Sequence, residues 1–201
     1  MYPRNTKMGQ KIQTDVPGVV ADQSFLAHIE IAAADAVVGD ADGVHAAVVD
    51  TGVEQVITTG ITDPSIPRNI TATFGGTAAD IKAIEVVIEG TNYLDEVITE
   101  TLPAATVNTA GIVLGNKAFK TVTEITIPAH DGVLATTAIG FGDKLGLPFL
   151  LSRNTIKEVY LNEVEEGTAP TVVVDSDEIE KNTIDLNSAL DGTQVDIYLY
   201  V

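Results

Sequence analysis

Alternation of apolar and polar side chains is clearest between Ile66 and Pro103. Ile70, Ala72 and Phe74 alternate with Thr71 and Thr73; further on, Lys82, Ile84, Val86 and Ile88 face away from Ala83, Glu85, Val87 and Glu89. A period of two marks a strand with one buried side. The stretch predicts three strands, divided by Gly75-Gly76 and by Gly90 to Asn92. Burying Ile84, Val86 and Ile88 contributes about 1.5 to 3 kcal/mol each, whereas ordering costs roughly 1 to 2 kcal/mol for every backbone residue. A lone sheet of these strands cannot hold itself together, so other strands of the chain must cover it.

Such covers are present. From Ser24 to Ala33, Phe25, Ala27, Ile29 and Ile31 alternate with Leu26, His28 and Glu30; helical spacing is also available there, and we read a strand with His28 on its solvent or subunit face rather than as a ligand. Residues 45–50 and 53–59 predict two strands joined at Thr51-Gly52, and Phe119–Pro128 and Val133–Ile139 two more around His130-Asp131-Gly132. GFGDKLGLP, from Gly140 to Pro148, reads as a loop. Its glycines miss the dinucleotide-binding spacing, and Pro148 bars the helix that such a loop would open. Beyond it, Ile156–Leu161, Thr171–Val174 and Gln194–Val201 read as strands, with one short helical turn around Asn187 to Leu190. In the last strand Val195, Ile197, Leu199 and Val201 share an apolar face, which predicts pairing inside a sheet of this chain or of a neighbour.

Composition narrows the class. The 201 residues are 45% hydrophobic and rich in threonine and valine, with 5% aromatics, which favours a sandwich or barrel over a helical or doubly wound fold. With no cysteine, disulfides and thiolate chemistry are excluded, in keeping with assembly in a reducing cytoplasm. The first residues lack the apolar core of a signal peptide, and no run approaches a membrane span.

Charge is unevenly placed. Residues 1 to 20 carry Arg4, Lys7 and Lys11 against Asp15, a net of +2, while the remaining 181 residues carry −20. An acidic body repels nucleic acid and anionic membranes, and neither is expected as a partner. Residues 1 to about 22, with Pro3, Gly9, Pro17 and Gly18, read as an extended arm: either a frayed terminus or a tether that lies on an acidic partner or neighbouring subunit.

No catalytic set emerges. His130-Asp131 reads as a turn, and Ser24, Ser65, Ser152, Ser176 and Ser188 lack a nucleophile elbow. GDADG, from Gly39 to Gly43, has Val38 where a calcium loop needs a ligand and reads as a polar turn. Asp175, Asp177 and Glu178 read as a solvated charge run rather than a cation site, within a segment from Glu158 to Asp196 that holds eleven acidic residues and one lysine. Without tryptophan, sugar-stacking sites are disfavoured. Tyr198 and Tyr200, on the polar face of the last strand, serve either a subunit contact or a solvent-facing cover. No metal or cofactor is expected.

The run PRNITATFGGTAADIKAIEVVIEGTNYLDEVITETLPAATVNTAGIVLGNKAFKTVTEITIPAHDG, followed by GFGDKLGLPFLL and later by TIDLNSALDGTQVDIYLYV, resembles small structural proteins encoded in the head-gene region of tailed phages and prophages of Gram-positive bacteria. The resemblance extends from about His45 to Val201. It implies a capsid decoration or auxiliary head protein, a virion component assembled in the host cytoplasm with the major capsid protein as partner. It also suggests a homo-oligomer, with a trimer as the state that lattice symmetry favours. The alternatives are a tail or head-to-tail connector and a receptor- or glycan-binding β-module. The expectation is thus a non-enzymatic all-β protein: an N-terminal arm (1–22), a sandwich-like antiparallel body (23–150) and an acidic segment (151–201) adding strands to the body or a neighbour. Arg4, Lys7, Lys11, Tyr198 and Tyr200 are its candidate partner-binding residues.

Overall fold

The computed structural model describes residues 10–13, 17 and 20–201. In chain order the strands are β1 (Gln10–Gln13), β2 (Val20–Gln23), β3 (Leu26–Ile31), β4 (Asp40–Val49), β5 (Gln55–Ile57), β6 (Arg68–Gly76), β7 (Val87–Thr91) and β8 (Val97–Thr101). They continue with β9 (Gly111–Phe119), β10 (Thr121–Ile127), β11 (Ala135–Gly146), β12 (Ile156–Leu161), β13 (Val164–Glu165), β14 (Thr171–Val173), β15 (Thr183–Asp185) and β16 (Val195–Tyr200). Single 3-10 turns at Ala78–Asp80 and Ile179–Lys181 are the helical elements among the described residues. The fold is all-β and sandwich-like, and every ladder among the described strands is antiparallel.

Two cores share one long strand. The first lies between the sheet β14-β15-β11-β6-β9, to which β4 adds along β11, and the sheet β5-β10-β7-β8. Ile70, Ala72 and Phe74 of β6, Ile139 of β11 and Phe119 of β9 meet Ile88 of β7 and Ile125 and Ile127 of β10 there. The second core joins Leu145 and Leu147 at the far end of β11 and Ile184 of β15 to Val159, Val195, Ile197 and Leu199 of a smaller sheet, ordered β13-β12-β16-β3. Strand β11 serves both because β6 takes one of its edges, while β4 and then β15 take the other in succession.

The patterned stretch at Ile66–Pro103 is confirmed in burial and corrected in pairing. Ile84, Val86 and Ile88 are all buried, but ladder bonding begins only at Val87. Before it, the chain runs as an irregular extended segment whose side chains fill the first core. The turn between β7 and β8 is built on Asn92, whose Oδ1 accepts from the N–H of Leu94 (2.9 Å) and of Glu96 (3.1 Å), rather than on Gly90, which lies inside β7.

Three further expectations are corrected. Gly140–Pro148 is not a loop: residues through Gly146 belong to β11, and its glycines allow close approach rather than turning. Between Phe141 and Leu145 the pairing with β6 slips from Ile70 to Arg68, four steps against two, and this bulge carries Gly142, Asp143 and Lys144. GDADG is not a free turn; Asp40 opens β4 opposite Phe141. The strands flanking Thr51-Gly52 do not pair with each other, since β4 joins β11 and β5 joins β10. The chain instead crosses there from one layer of the first sandwich to the other.

The acidic segment adds strands within this chain in two places. β14 and β15 extend the large sheet from β11, and β12, β13 and β16 combine with β3, from the other side of position 150, in the small sheet. Asn187–Leu190 forms no helical turn. Within the expected arm, residues 10–13 pair in an antiparallel ladder with a strand of residues 20–23 that runs one residue past it.

Candidate interaction surface

The small sheet buries one face and turns the other outward. Val195, Ile197 and Leu199 are fully buried, so alternation along β16 points Asp196, Tyr198 and Tyr200 away from the core. Register fixes their neighbours: Tyr198 lies opposite His28 of β3 on one side and Glu158 of β12 on the other, and Asp196 lies opposite Glu30 and Tyr160. A row of rings crosses the three strands. The His28 imidazole stacks on Tyr198 with centroids 4.5 Å apart and planes 4° from parallel, and Tyr160 meets Tyr198 edge to face at 6.0 Å.

Polar contacts set the rings. His28 Nε2 lies 2.7 Å from Asp196 Oδ1, and the Tyr160 hydroxyl donates to Glu158 Oε2 at 2.9 Å. That bond to a carboxylate raises the Tyr160 pKa above the ordinary phenol value, keeping it a neutral donor. The Lys157 ammonium sits 5.5 Å from the centre of the Tyr200 ring. Beyond Tyr200 the surface turns apolar, with Phe25 46% and Leu26 59% exposed and Tyr200 itself 41% exposed. Strand β3 ends the small sheet, so one of its edges is unpaired among the described strands. An open depression of about 380 Å³ adjoins this corner, lined by Ser24, Arg153, Thr155, Lys157 and Tyr200.

Tyr198 and Tyr200 therefore lie on one outward face. Arg4 and Lys7 fall outside the described residues, and Lys11 lies on β1 in register with Asp22. His28, expected on a solvent or subunit face, lies on this one, and Tyr160, Asp196 and Lys157 belong to it although sequence reasoning did not assign them to it. Strand alternation marks Tyr160 as outward, but nothing local to β12 or β3 reveals that both flank β16.

The other candidates are accounted for by internal contacts. The Asp175 carboxylate accepts from the N–H groups of Asp177 (2.8 Å) and Glu178 (2.9 Å), which lowers its pKa. Glu178 is paired with Lys181 and Lys117. Lys117 also bonds Glu180 at 3.2 Å, a neighbour of the run that is buried while Asp177 and Glu178 stay in contact with solvent. Each histidine ring is engaged, His28 with Asp196, His45 with the Ala46 carbonyl and His130 with Thr137, and none contacts a serine among the described residues.

His130 has a structural role that gives a pH test. The Lys82 N–H can only donate, so Nδ1 accepts it at 3.2 Å, and the ring proton on Nε2 points to Thr137 Oγ1 at 3.1 Å. Burial lowers the His130 pKa, with Asp50 and Asp131 partly opposing. A histidine with a lowered folded pKa contributes stability that is complete above its unfolded pKa of about 6.5 and declines as pH falls below it. Thermal unfolding of His130→Gln between pH 7.5 and 5.5 should show a shallower loss of midpoint than wild type. Equal slopes would remove the assignment.

Comparison with protein-family models, curated proteins and solved structures finds no match for this chain.

Proposed function

We propose that this chain is a structural virion protein that binds the outer surface of a tailed-phage capsid, at junctions between capsomers, and decorates or stabilises the lattice. The observation that carries the reading of a binding protein is the outward row of His28, Tyr198 and Tyr160, continued by exposed Tyr200, Leu26 and Phe25 beside an open strand edge. Rigid aromatic side chains lose little entropy on contact and dominate interface energetics. The phage assignment rests on the resemblance of residues 45–201, and the major capsid protein is the partner it implies. Binding only the assembled lattice would stabilise it by mass action. Arg4, Lys7 and Lys11, opposite in sign to the body, are assigned to anchoring the first twenty residues on an acidic surface. The chain acts as a homo-oligomer on the head, a trimer matching local three-fold lattice symmetry.

Co-sedimentation with purified heads tests this. The full chain should pellet with heads, and Tyr198→Ala/Tyr200→Ala should weaken binding by about 30-fold, as loss of a central aromatic anchor does. Removal of residues 1–20 should weaken it further at low salt. Absence of the full chain from the pellet would reject the decoration role; unchanged binding of the tyrosine variant would reject this face, and unchanged binding of the truncated chain would reject the anchor.

A further inference from the structure

We propose that His28, Glu30 and Asp196 form a binding site for a divalent transition-metal ion of the zinc class on the outer face of the small sheet. One ligand atom from each of the three converges, all within 4.8 Å of one another. Glu30 and Asp196 are direct cross-strand partners. Like charges placed directly opposite are destabilising, and among the described residues no lysine or arginine pairs with either carboxylate. The polar contact that the cluster does contain is the hydrogen bond of His28 Nε2 with Asp196 Oδ1. A cation bound there relieves this repulsion.

His28 is prepared to be a ligand. Parallel stacking on Tyr198 fixes its plane, and its Nε2 already points at Asp196 Oδ1 from 2.7 Å. Tetrahedral zinc with bonds of about 2.0 to 2.1 Å holds its ligand atoms about 3.3 Å apart. Replacing the His28–Asp196 hydrogen bond by a shared ion, with the ring proton moving to Nδ1, asks for an opening of about 0.6 Å there, while the Glu30 oxygen, within 4.8 Å of the other two ligand atoms, closes by up to about 1.5 Å through side-chain rotation. Gln194 Nε2 contacts both oxygens of Asp196 at 3.2 Å and orients that carboxylate. One imidazole nitrogen with two carboxylates suits zinc-class ions better than calcium or magnesium, which prefer all-oxygen shells. Three protein ligands leave a fourth position for water or an incoming donor. The inference is independent of the capsid assignment. His28 and Glu30 share a face by strand spacing, but Asp196 joins them only through the pairing of β3 with β16.

The test is titration of the EDTA-stripped full chain with zinc chloride by calorimetry, and with cobalt chloride followed by visible absorption. One equivalent should bind saturably, cobalt should give the intense bands of a four-coordinate site, and zinc should raise the thermal midpoint. His28→Gln should weaken binding at least tenfold and abolish the midpoint shift, while His45→Gln should leave both unchanged. Glu30→Gln, an exposed change on an edge strand, should weaken binding at least tenfold and serves if Asp196→Asn fails to fold. Lack of saturable binding, or a loss below tenfold in both His28→Gln and Glu30→Gln, overturns the site.

Discussion

Gly140→Ala is expected to destabilise the protein by about 3 kcal/mol, at the upper end of ordinary overpacking. A Cβ at this position would lie 1.8 Å from the Asp40 carbonyl oxygen and 2.6 Å from the Ala41 carbonyl carbon. Both are backbone atoms, so no side-chain rotation relieves the clash. Either β4 must part from β11 or β11 must shift against β6, and the first core opens at Ile139 and Phe141 in both cases. For a chain of this size, thermal unfolding should show the midpoint falling by about 6 to 12 °C. Gly111→Ala is the control, because nothing lies within 4 Å of its added Cβ. If the two variants melt together, β4 does not lie along β11 as described.

Asp143→Ala should be nearly as costly. The Arg68 side chain is 1% exposed and Asp143 39% exposed. Asp143 supplies the carboxylate paired with this guanidinium, Oδ1 to Nη2 at 3.2 Å, while Nη1 donates to the Val37 carbonyl at 2.8 Å and the Phe141 ring lies 4.7 Å from the guanidinium carbon. Arg68 Nε has no hydrogen-bond partner among the described residues. Burial lowers the Arg68 pKa, and the charge of Asp143 opposes that. Removing the carboxylate leaves the charge uncompensated at about 3 kcal/mol, the low end for such losses because Asp143 is screened by water. Arg68→Met/Asp143→Ala should recover much of that loss, since an apolar side chain of similar length needs no counter-charge. Denaturant midpoints of the single and double variants decide it. A double variant no more stable than Asp143→Ala would mean that the cost comes from the Gly39 N–H, which also bonds Asp143 at 2.7 Å and is orphaned in both.

How far the sequence discloses this fold depends on what a residue's neighbours in the chain can reveal. The alternation of Ile84, Val86 and Ile88 and of Val195, Ile197 and Leu199 reports burial correctly, because a strand with one covered face writes its period locally. Glycine is ambiguous by contrast: Gly140, Gly142 and Gly146 look like loop punctuation, yet each meets atoms from another strand at under 3 Å from where a Cβ would be. Strand β9 is hidden in the sequence because Gly111, Gly115, Asn116 and Lys117 interrupt its pattern, although Ala118 and Phe119 are buried. Gly115 must be small because a Cβ would come 2.8 Å from the Ile70 carbonyl oxygen. The outward face was half legible. Tyr198 and Tyr200 follow from alternation on β16, while the stacking of His28, the edge contact of Tyr160 and the convergence of Glu30 on Asp196 depend on strand order, which no local pattern encodes.

That strand order also bears on when the surface comes into being. His28 and Asp196 are 168 residues apart in the chain. At roughly 5 to 20 residues per second, a ribosome needs on the order of 10 to 30 s to synthesise the interval between them. The side chains that line the first core all precede Pro148, and although β14 and β15 later extend its large sheet, that core can form while translation continues. The small sheet cannot, because β16 is the central strand between β12 and β3. Its outward face is therefore absent from nascent chains, and from chains truncated before β16, until that strand has emerged.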